Sequence, residues 1–336
     1  MPGKRPSATS INQDRLAELR DQGEDSEVLL MRLALTESEG MRKTLTEMAK
    51  ADRCYPEVLP TQASGRWSTK NPALVNFPRE FWQDHPGIIH PDRDEWWLEW
   101  DWSGIEARMF TAYTGDEEDV AWFSDTTVDI HTETCRKYLF EWKVLPNDWQ
   151  GSKDERRVRA KNFRYGCLQY GTGPKAVLGM PGIETLGLDR QVLVQRASRF
   201  LAARPKAQAW KQAVWHQCQV EKVARTFMGR RRLLFGNPME RAKDGLSHII
   251  SGSVADLMAW SLIAIMKHWP DASVVMNRHD SATVAFPYPA ERASERSSVC
   301  ERTQTAVRAL VEKEWEVGQG VTMGFPATWE VVHGHE

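Results

Sequence analysis

A run of aromatic residues that ends in an acid constrains this chain more than any other stretch. Trp96-Trp97-Leu98-Glu99-Trp100 leads straight into Asp101-Trp102-Ser103-Gly104-Ile105-Glu106-Ala107-Arg108. The aromatic content and length of the run suit a half-buried strand, and Ser103-Gly104 breaks it, so the spacing predicts Asp101 at the strand's end. A carboxylate released there can hold a metal ion; it can equally cap a helix or close a turn. A second carboxylate later in the chain tips the balance towards the metal.

The chain has 336 residues and is 41% hydrophobic, enough to fill a sizeable core in one large domain or a few packed subdomains. No run approaches the ~18 consecutive apolar residues that cross a bilayer, and Met1-Pro-Gly-Lys-Arg-Pro-Ser7 lacks a signal peptide's apolar segment. A soluble protein of the cytoplasm, with no membrane partner, is therefore expected. The cysteines at 54, 135, 167, 218 and 300 lie far apart, which suggests neither a disulfide framework nor a zinc site. The net charge of -2 hides local bias: Arg156, Arg157, Arg159, Lys161 and Arg164 form one basic cluster, and Arg225, Arg230, Arg231 and Arg232 another. Such clusters can serve a polyanionic partner despite a near-neutral total, or can be solvated helix faces. The 15 tryptophans are assigned to the core.

Along the chain, residues 1–12 read as a flexible tail. Val28, Met31 and Leu35, then Met41, Leu45 and Met48, recur at helical spacing on either side of Gly40 and predict two short helices. Residues 55–95 are proline-rich and loop-like. From Asp101 to about residue 228 the chain reads as mostly helical, with Asp154 capping the basic helix and Pro205 dividing two later ones. Leu246, Ile250, Val254, Leu257, Leu262, Ile265 and Trp269 mark a long amphipathic helix. Ser273–Met276 and Ala282–Phe286 then read as a hairpin with Asp280 at its turn.

Two aspartates at strand ends, distant in sequence but able to meet on one sheet, suit a site that holds two divalent ions about 3.5–4 Å apart. Magnesium fits because it prefers oxygen ligands and shares its coordination with substrate phosphates. Two turn carboxylates that never meet remain the structural alternative. Arg157, Lys161 and Tyr165, spaced i, i+4, i+8, share one helical face. Cations and a ring on one face suit a nucleoside triphosphate, and an exposed basic face is the alternative.

These blocks resemble the polymerase region of family A DNA polymerases, the bacterial DNA polymerase I type. Thr61-Gln-Ala-Ser-Gly-Arg-Trp-Ser-Thr-Lys-Asn-Pro-Ala-Leu-Val-Asn-Phe-Pro78 is similar to the family's T-x-T-G-R-L-S-S-x-x-P-N-L-Q-N-I-P, and Asp101 to Arg108 to its motif A, D-Y-S-Q-I-E-L-R. Arg157-Val-Arg-Ala-Lys161-Asn-Phe-Arg-Tyr165-Gly166 resembles motif B, and Arg278-His279-Asp280-Ser281 motif C. Arg204-Pro205, Trp210, Thr226 to Arg232 and Ser251-Gly-Ser-Val-Ala-Asp256 also match, in the family's order. The resemblance implies an α+β right-hand fold with an antiparallel palm sheet and helical fingers. Residues 1–54 would be a tail with residual thumb-base helices. Residues 55–111 would be the first part of the palm, 112–228 the fingers, and 229–336 the second part of the palm.

It further implies a phage-like DNA-directed DNA polymerase of replication or repair, located in the cytoplasm, either nucleoid-associated or in that of an infected host. Asp101 and Asp280 would hold two Mg2+ ions, with Lys161 a third catalytic group. Arg157, Lys161, Tyr165, Tyr170, Glu106 and Ile105 would bind the nucleotide, Glu106 as the gate against a ribose 2′-hydroxyl. A tyrosine at the Tyr165 position goes with ready use of dideoxynucleotides. Arg66, Asn76, Arg230, Arg231, Lys243 and His279 would bind DNA. Primer-template DNA and dNTPs would be the partners, with a separately encoded thumb or exonuclease polypeptide docking around Val28, Met31 and Leu35.

Three departures stand out. Ser281 replaces a usual Glu, as in single-subunit RNA polymerases, whose small gate residue Glu106 does not match. Tyr165-Gly166-Cys-Leu-Gln-Tyr170-Gly171 is one residue longer than F-G-x-x-Y-G, which leaves Tyr170 displaced by one. Ser251 stands for a Gln, and Lys243 for an Arg. The alternatives are an RNA polymerase or primase, and a DNA-binding subunit of a split polymerase.

Overall fold

The computed structural model describes residues 39–49, 54–59, 62, 64–77, 89–171, 173–288, 296–318 and 321–333. These fall into two units, Met1–Pro60 with Trp67–Ile89, and Thr61–Arg66 with His90–Glu336. The first unit holds a helical stretch over residues 39–48 and an antiparallel pair, β1 (Glu57–Leu59) and β2 (Ser68–Lys70). A 3-10 turn, Leu74–Asn76, follows. Gly40 is the second described residue of that helical stretch. The tail and the apolar positions Val28, Met31 and Leu35 lie outside the described residues.

In the second unit the aromatic run becomes β3 (Glu95–Trp102), with strict alternation of buried and half-buried residues. Trp96, Leu98, Trp100 and Trp102 are almost wholly buried, while Glu99 and Asp101 point to the other face. After β3 come helices α1 (Ile105–Thr114), α2 (Glu117–Ser124) and α3 (Ile130–Thr134), the last continuing into a π-helical segment, Cys135–Phe140. The basic helix α4 (Glu155–Arg164) opens on Asp154, whose side chain accepts from the Arg156 N–H, and continues into a second π-helical segment, Tyr165–Gln169. Helices α5 (Arg190–Ala202) and α6 (Pro205–Glu221) are divided as Pro205 requires. Helical structure stops at Glu221 rather than near 228, because Lys222 turns into the left-handed region and leads to a hairpin, β4 (Val223–Arg225) with β5 (Arg231–Leu233).

The long helix α7 (Pro238–His268) starts with an Asn237–Glu240 capping box and Pro238 in its first turn. It corrects one expectation: by length and composition α7 is apolar enough to span a membrane. However, 61% of that window is buried inside the protein, where it packs on α6 and α1. Beyond it lie β6 (Ser273–Asn277), β7 (Ser281–Pro287), α8 (Arg296–Val311), the pair β8 (Trp315–Gly318) and β9 (Val321–Met323), and β10 (Ala327–His333). The main sheet has the order β10-β3-β7-β6, antiparallel throughout. Its aromatic pairs, Trp100 on Trp329 at 5.8 Å and Trp96 on Phe286 at 5.0 Å between centroids, bind neighbouring strands together. The architecture is α+β, as expected.

The helical region has its own core around Phe110, Tyr138, Phe163, Leu193 and Phe200. Within it Asp119 is wholly buried between Arg164 and Arg204, themselves 2% and 0% exposed. Burial alone would raise the Asp119 pKa, but the two guanidiniums outweigh it and hold the group below the usual carboxylate range. Arg164 is the last residue of α4, so this ion cluster fixes the end of the basic helix.

Candidate active site

The sheet puts the two aspartates on neighbouring strands. Asp101 pairs with Ser281, and the Trp102 N–H donates to the Asp280 carbonyl at 2.9 Å. Asp280 lies in the tight turn between β6 and β7, which is closed by the Arg278 N–H donating to the Ser281 carbonyl at 2.8 Å. Asp101 is half-buried and Asp280 exposed. The two acids thus stand side by side at one end of the sheet, as the sequence predicts. Ser281 is buried, and its backbone belongs to β7.

Glu106, in the first turn of α1, is the junction of the site. Its Oε1 accepts from Arg66 at 2.8 Å, from the Ser251 hydroxyl at 2.7 Å and from His279 Nε2 at 2.8 Å. Its Oε2 accepts from the Tyr170 hydroxyl at 3.0 Å. Burial would raise the Glu106 pKa, but the His279 hydrogen bond and charge, then Ser251 and Arg66, carry it down to about 2. Four separate pieces of chain therefore meet on one permanent anion. Ser251 supplies the shortest of the four bonds and also lies 3.2 Å from the Tyr170 hydroxyl, so the departure from Gln at this position has a role here. Ile105, beside Glu106, is buried and anchors the turn.

Helix α4 presents Arg157 and Lys161 on one face. Arg157 is held by both carboxylate oxygens of Asp129, with Nε to Oδ1 at 2.9 Å. Lys161 is exposed, with no ion-pair partner among the described residues. Burial first, then the charges of Glu106 and Asp280, raises the pKa of the Tyr165 phenol, which also lies against the Ala107 N–H. The ring of Tyr165 follows directly on α4, at the start of the π-helical segment. His131, which sequence reasoning missed, stands 5.9 Å from it between ring centroids. Burial and the charge of Arg164 push the His131 imidazole down to about 3, so it is a neutral ring among Arg157, Lys161 and Arg164. Its sequence signal was Asp129, an N-cap residue two positions earlier that also grips Arg157.

The extra residue after Tyr165 does not displace Tyr170. The Tyr170 N–H donates to the Tyr165 carbonyl at 2.9 Å, an i to i+5 bond that closes a π turn. Such a turn accommodates one residue more than an α turn. Tyr170 consequently meets Glu106 by a direct hydrogen bond.

The residues expected on DNA are placed unevenly. Arg66 and His279 converge on Glu106. Arg230 is engaged within the protein, with Asp256 and with the carbonyls of Ser64 at 3.0 Å and Gly252 at 2.9 Å. Gly65, at φ +83, leaves room for that guanidinium, since a Cβ there would lie 2.5 Å from it. Arg231 on β5 and Lys243 on α7 are exposed. Asn76 belongs to the other unit, and its side chain lies outside the description.

No curated protein matches the sequence. The fold is similar to the POL domain of Pol1 from M. smegmatis, solved in complex with DNA primer-template and dNTP, with a TM-score of 0.72 and 19% identity. The similarity covers 99% of this chain and 58% of that one, so the chain spans little more than half of that protein chain's length. Residues 2–331 match the model for DNA polymerase family A. The chain belongs to DNA polymerase family A.

Proposed function

We propose that the chain is a DNA-directed DNA polymerase region that joins deoxynucleotides to a primer 3′-hydroxyl on a DNA template, in replication or repair. One observation carries this: Asp101 and Asp280 stand side by side on paired strands at one end of the sheet, in a chain whose helix α4 carries Arg157 and Lys161 on one face. A triphosphate lying between that face and those acids has cations on one side and carboxylates on the other.

The donor set of Asp101 and Asp280 is all oxygen, partly open to solvent, and among the described residues no third His, Cys, Asp or Glu completes a closed cluster. That suits Mg2+, which takes one or two carboxylates and leaves the remaining positions to water and phosphate. Bound there, two such ions would activate the attacking hydroxyl and neutralise charge on the leaving phosphate. Arg157 and Lys161 bind the triphosphate and offset its charge. Tyr165 packs beside the sugar. Glu106, held by four donors, fills the space that a 2′-hydroxyl would need. Arg66 and His279, tied to that same carboxylate, fix the primer end relative to the gate.

The Ser281 departure leaves an RNA polymerase as the second reading, and Glu106 is the residue that separates the two. Primer extension with Mg2+, supplied with dNTPs and rNTPs in separate reactions, tests both. Incorporation of dNTPs that Asp101→Ala or Asp280→Ala abolishes, with DNA binding retained, is the expected result. Preferred use of rNTPs would reverse the assignment, and DNA binding without incorporation would point to a non-catalytic subunit.

A further inference from the structure

The π turn that aligns Tyr165 and Tyr170 is held by a buried ammonium on another helix. Lys211 of α6 is 6% exposed, and its Nζ donates to the carbonyls of Leu168 at 2.7 Å, Gly171 at 2.9 Å and Cys167 at 3.4 Å. An ammonium has three N–H donors, and three backbone oxygens at the end of this one turn take them all. The carbonyls at a helix C-terminus lack intrahelical partners, and a cation there is favoured by the helix dipole. No carboxylate pairs with Lys211 among the described residues, and burial lowers its pKa to about 8, so it is the ammonium below that pH; the titratable group beside it is the Cys167 thiol, itself pushed up to about 12 by burial. Burying an ammonium is costly unless every donor is satisfied.

The turn in its own right is under tight geometric control. A Cβ on Gly171 would lie 1.9 Å from the Gly166 carbonyl oxygen, so its two ends are in direct contact. Gln169, buried within it, donates from Nε2 to the Tyr170 hydroxyl at 3.0 Å, and that hydroxyl donates to Glu106. Lys211 therefore holds the carbonyls on both sides of the residues that aim Tyr170.

We propose that Lys211 is a positioning residue for sugar selection: its ammonium fixes the lengthened turn Tyr165–Gln169 so that Tyr170 steadies the Glu106 gate. This role rests on the polymerase reading and adds to it a residue that touches neither nucleotide nor metal. If the ammonium is removed, the turn can relax towards another register, Tyr170 withdraws from Oε2, and Glu106 is free to make way for a 2′-hydroxyl.

The test is the ratio of kcat/KM for a ribonucleotide to that for the matching deoxynucleotide, measured on the whole chain. The ratio is independent of how much of each preparation is active. Lys211→Met keeps the length of the stem and removes every donor, and it should raise the ratio by about tenfold. Lys211→Gln, which keeps a neutral donor, should raise it less. Tyr170→Phe should raise it comparably, and Lys211→Met combined with Tyr170→Phe should go no further than the larger single effect. An unchanged ratio in Lys211→Met would overturn the role even if the protein were less stable, and so would full additivity in the double variant. Should Lys211→Met yield no folded protein, a wild-type ratio in Lys211→Gln overturns the role instead. A wild-type chain that incorporates no nucleotide at all would reject the polymerase reading itself, which is a separate outcome.

Discussion

Replacing Glu106 by glutamine removes one charge from the point where Arg66, Tyr170, Ser251 and His279 meet, and the depressed pKa of the carboxyl sets the size of the effect. The folded value is about 2 against an ordinary 4.5, and the side chain is only 17% exposed, so solvent screening takes away little of the difference. A group whose folded pKa is lowered stabilises the fold above its unfolded pKa, and that stabilisation is lost as pH falls towards the folded pKa. The ionised carboxyl is then worth roughly 3 kcal/mol at about pH 5, and roughly 1.5 kcal/mol at about pH 3. Glutamine does not titrate, so whatever its amide contributes is the same at both values. The stability difference between wild type and Glu106→Gln should therefore shrink by about 2 kcal/mol between about pH 5 and about pH 3. Urea denaturation of both proteins at each pH measures it, and other depressed carboxyls such as Asp129 and Asp154 cancel in the comparison. A difference that stays constant, or widens in acid, would refute the claim that these donors hold Glu106 as an anion.

Other expectations concern the face of α4 and its support. Tyr165→Phe removes a phenol that burial keeps protonated, and it should reduce incorporation of dideoxynucleotides relative to dNTPs; an unchanged ratio would place that hydroxyl away from the sugar. Asp119→Asn leaves Arg164 and Arg204 buried without an anion between them, at a cost of about 3–5 kcal/mol in urea unfolding, and a loss under about 1 kcal/mol would show that Glu118 can carry both. Arg157→Ala should raise the KM for dNTP while sparing primer-template affinity, and equal losses in both would deny it a separate role at the triphosphate.

Much of the sheet was legible because its signals are local. An aromatic run with period two, a Ser-Gly break and an acid announce where β3 ends, and a short turn between two β-branched runs announces Asp280. The basic face of α4 was legible for the same reason, since i, i+4 spacing is a property of one helix. What could not be read was convergence. Arg66, Tyr170, Ser251 and His279 each carried a signal of its own, yet nothing in their spacing says that all four end on one carboxylate. Arg230 shows the converse: its motif suggested DNA, and its guanidinium is committed to Asp256 and two carbonyls.

The extra residue before Tyr170 marks the boundary between the two kinds of information. Counting from Arg157 and Lys161 along an α-helix puts Tyr165 on the nucleotide face and Tyr170 off it, while counting back from Tyr170 does the reverse, so the sequence presents a conflict of register. A π turn removes the conflict, but an isolated chain has little reason to form one, because i to i+5 closure leaves carbonyls that α geometry would have paired. The compensation comes from a distant helix, and it leaves a trace there. Ala207, Val214 and Cys218 are the buried stripe of α6, and Lys211 sits among them at helical spacing, a cation where the pattern calls for an apolar residue. Either anomaly alone is ambiguous, since a one-residue insertion can be a loop and a lysine on an apolar stripe can snorkel to the surface. Together they fit one arrangement, in which the misplaced charge is the partner that the misplaced residue requires.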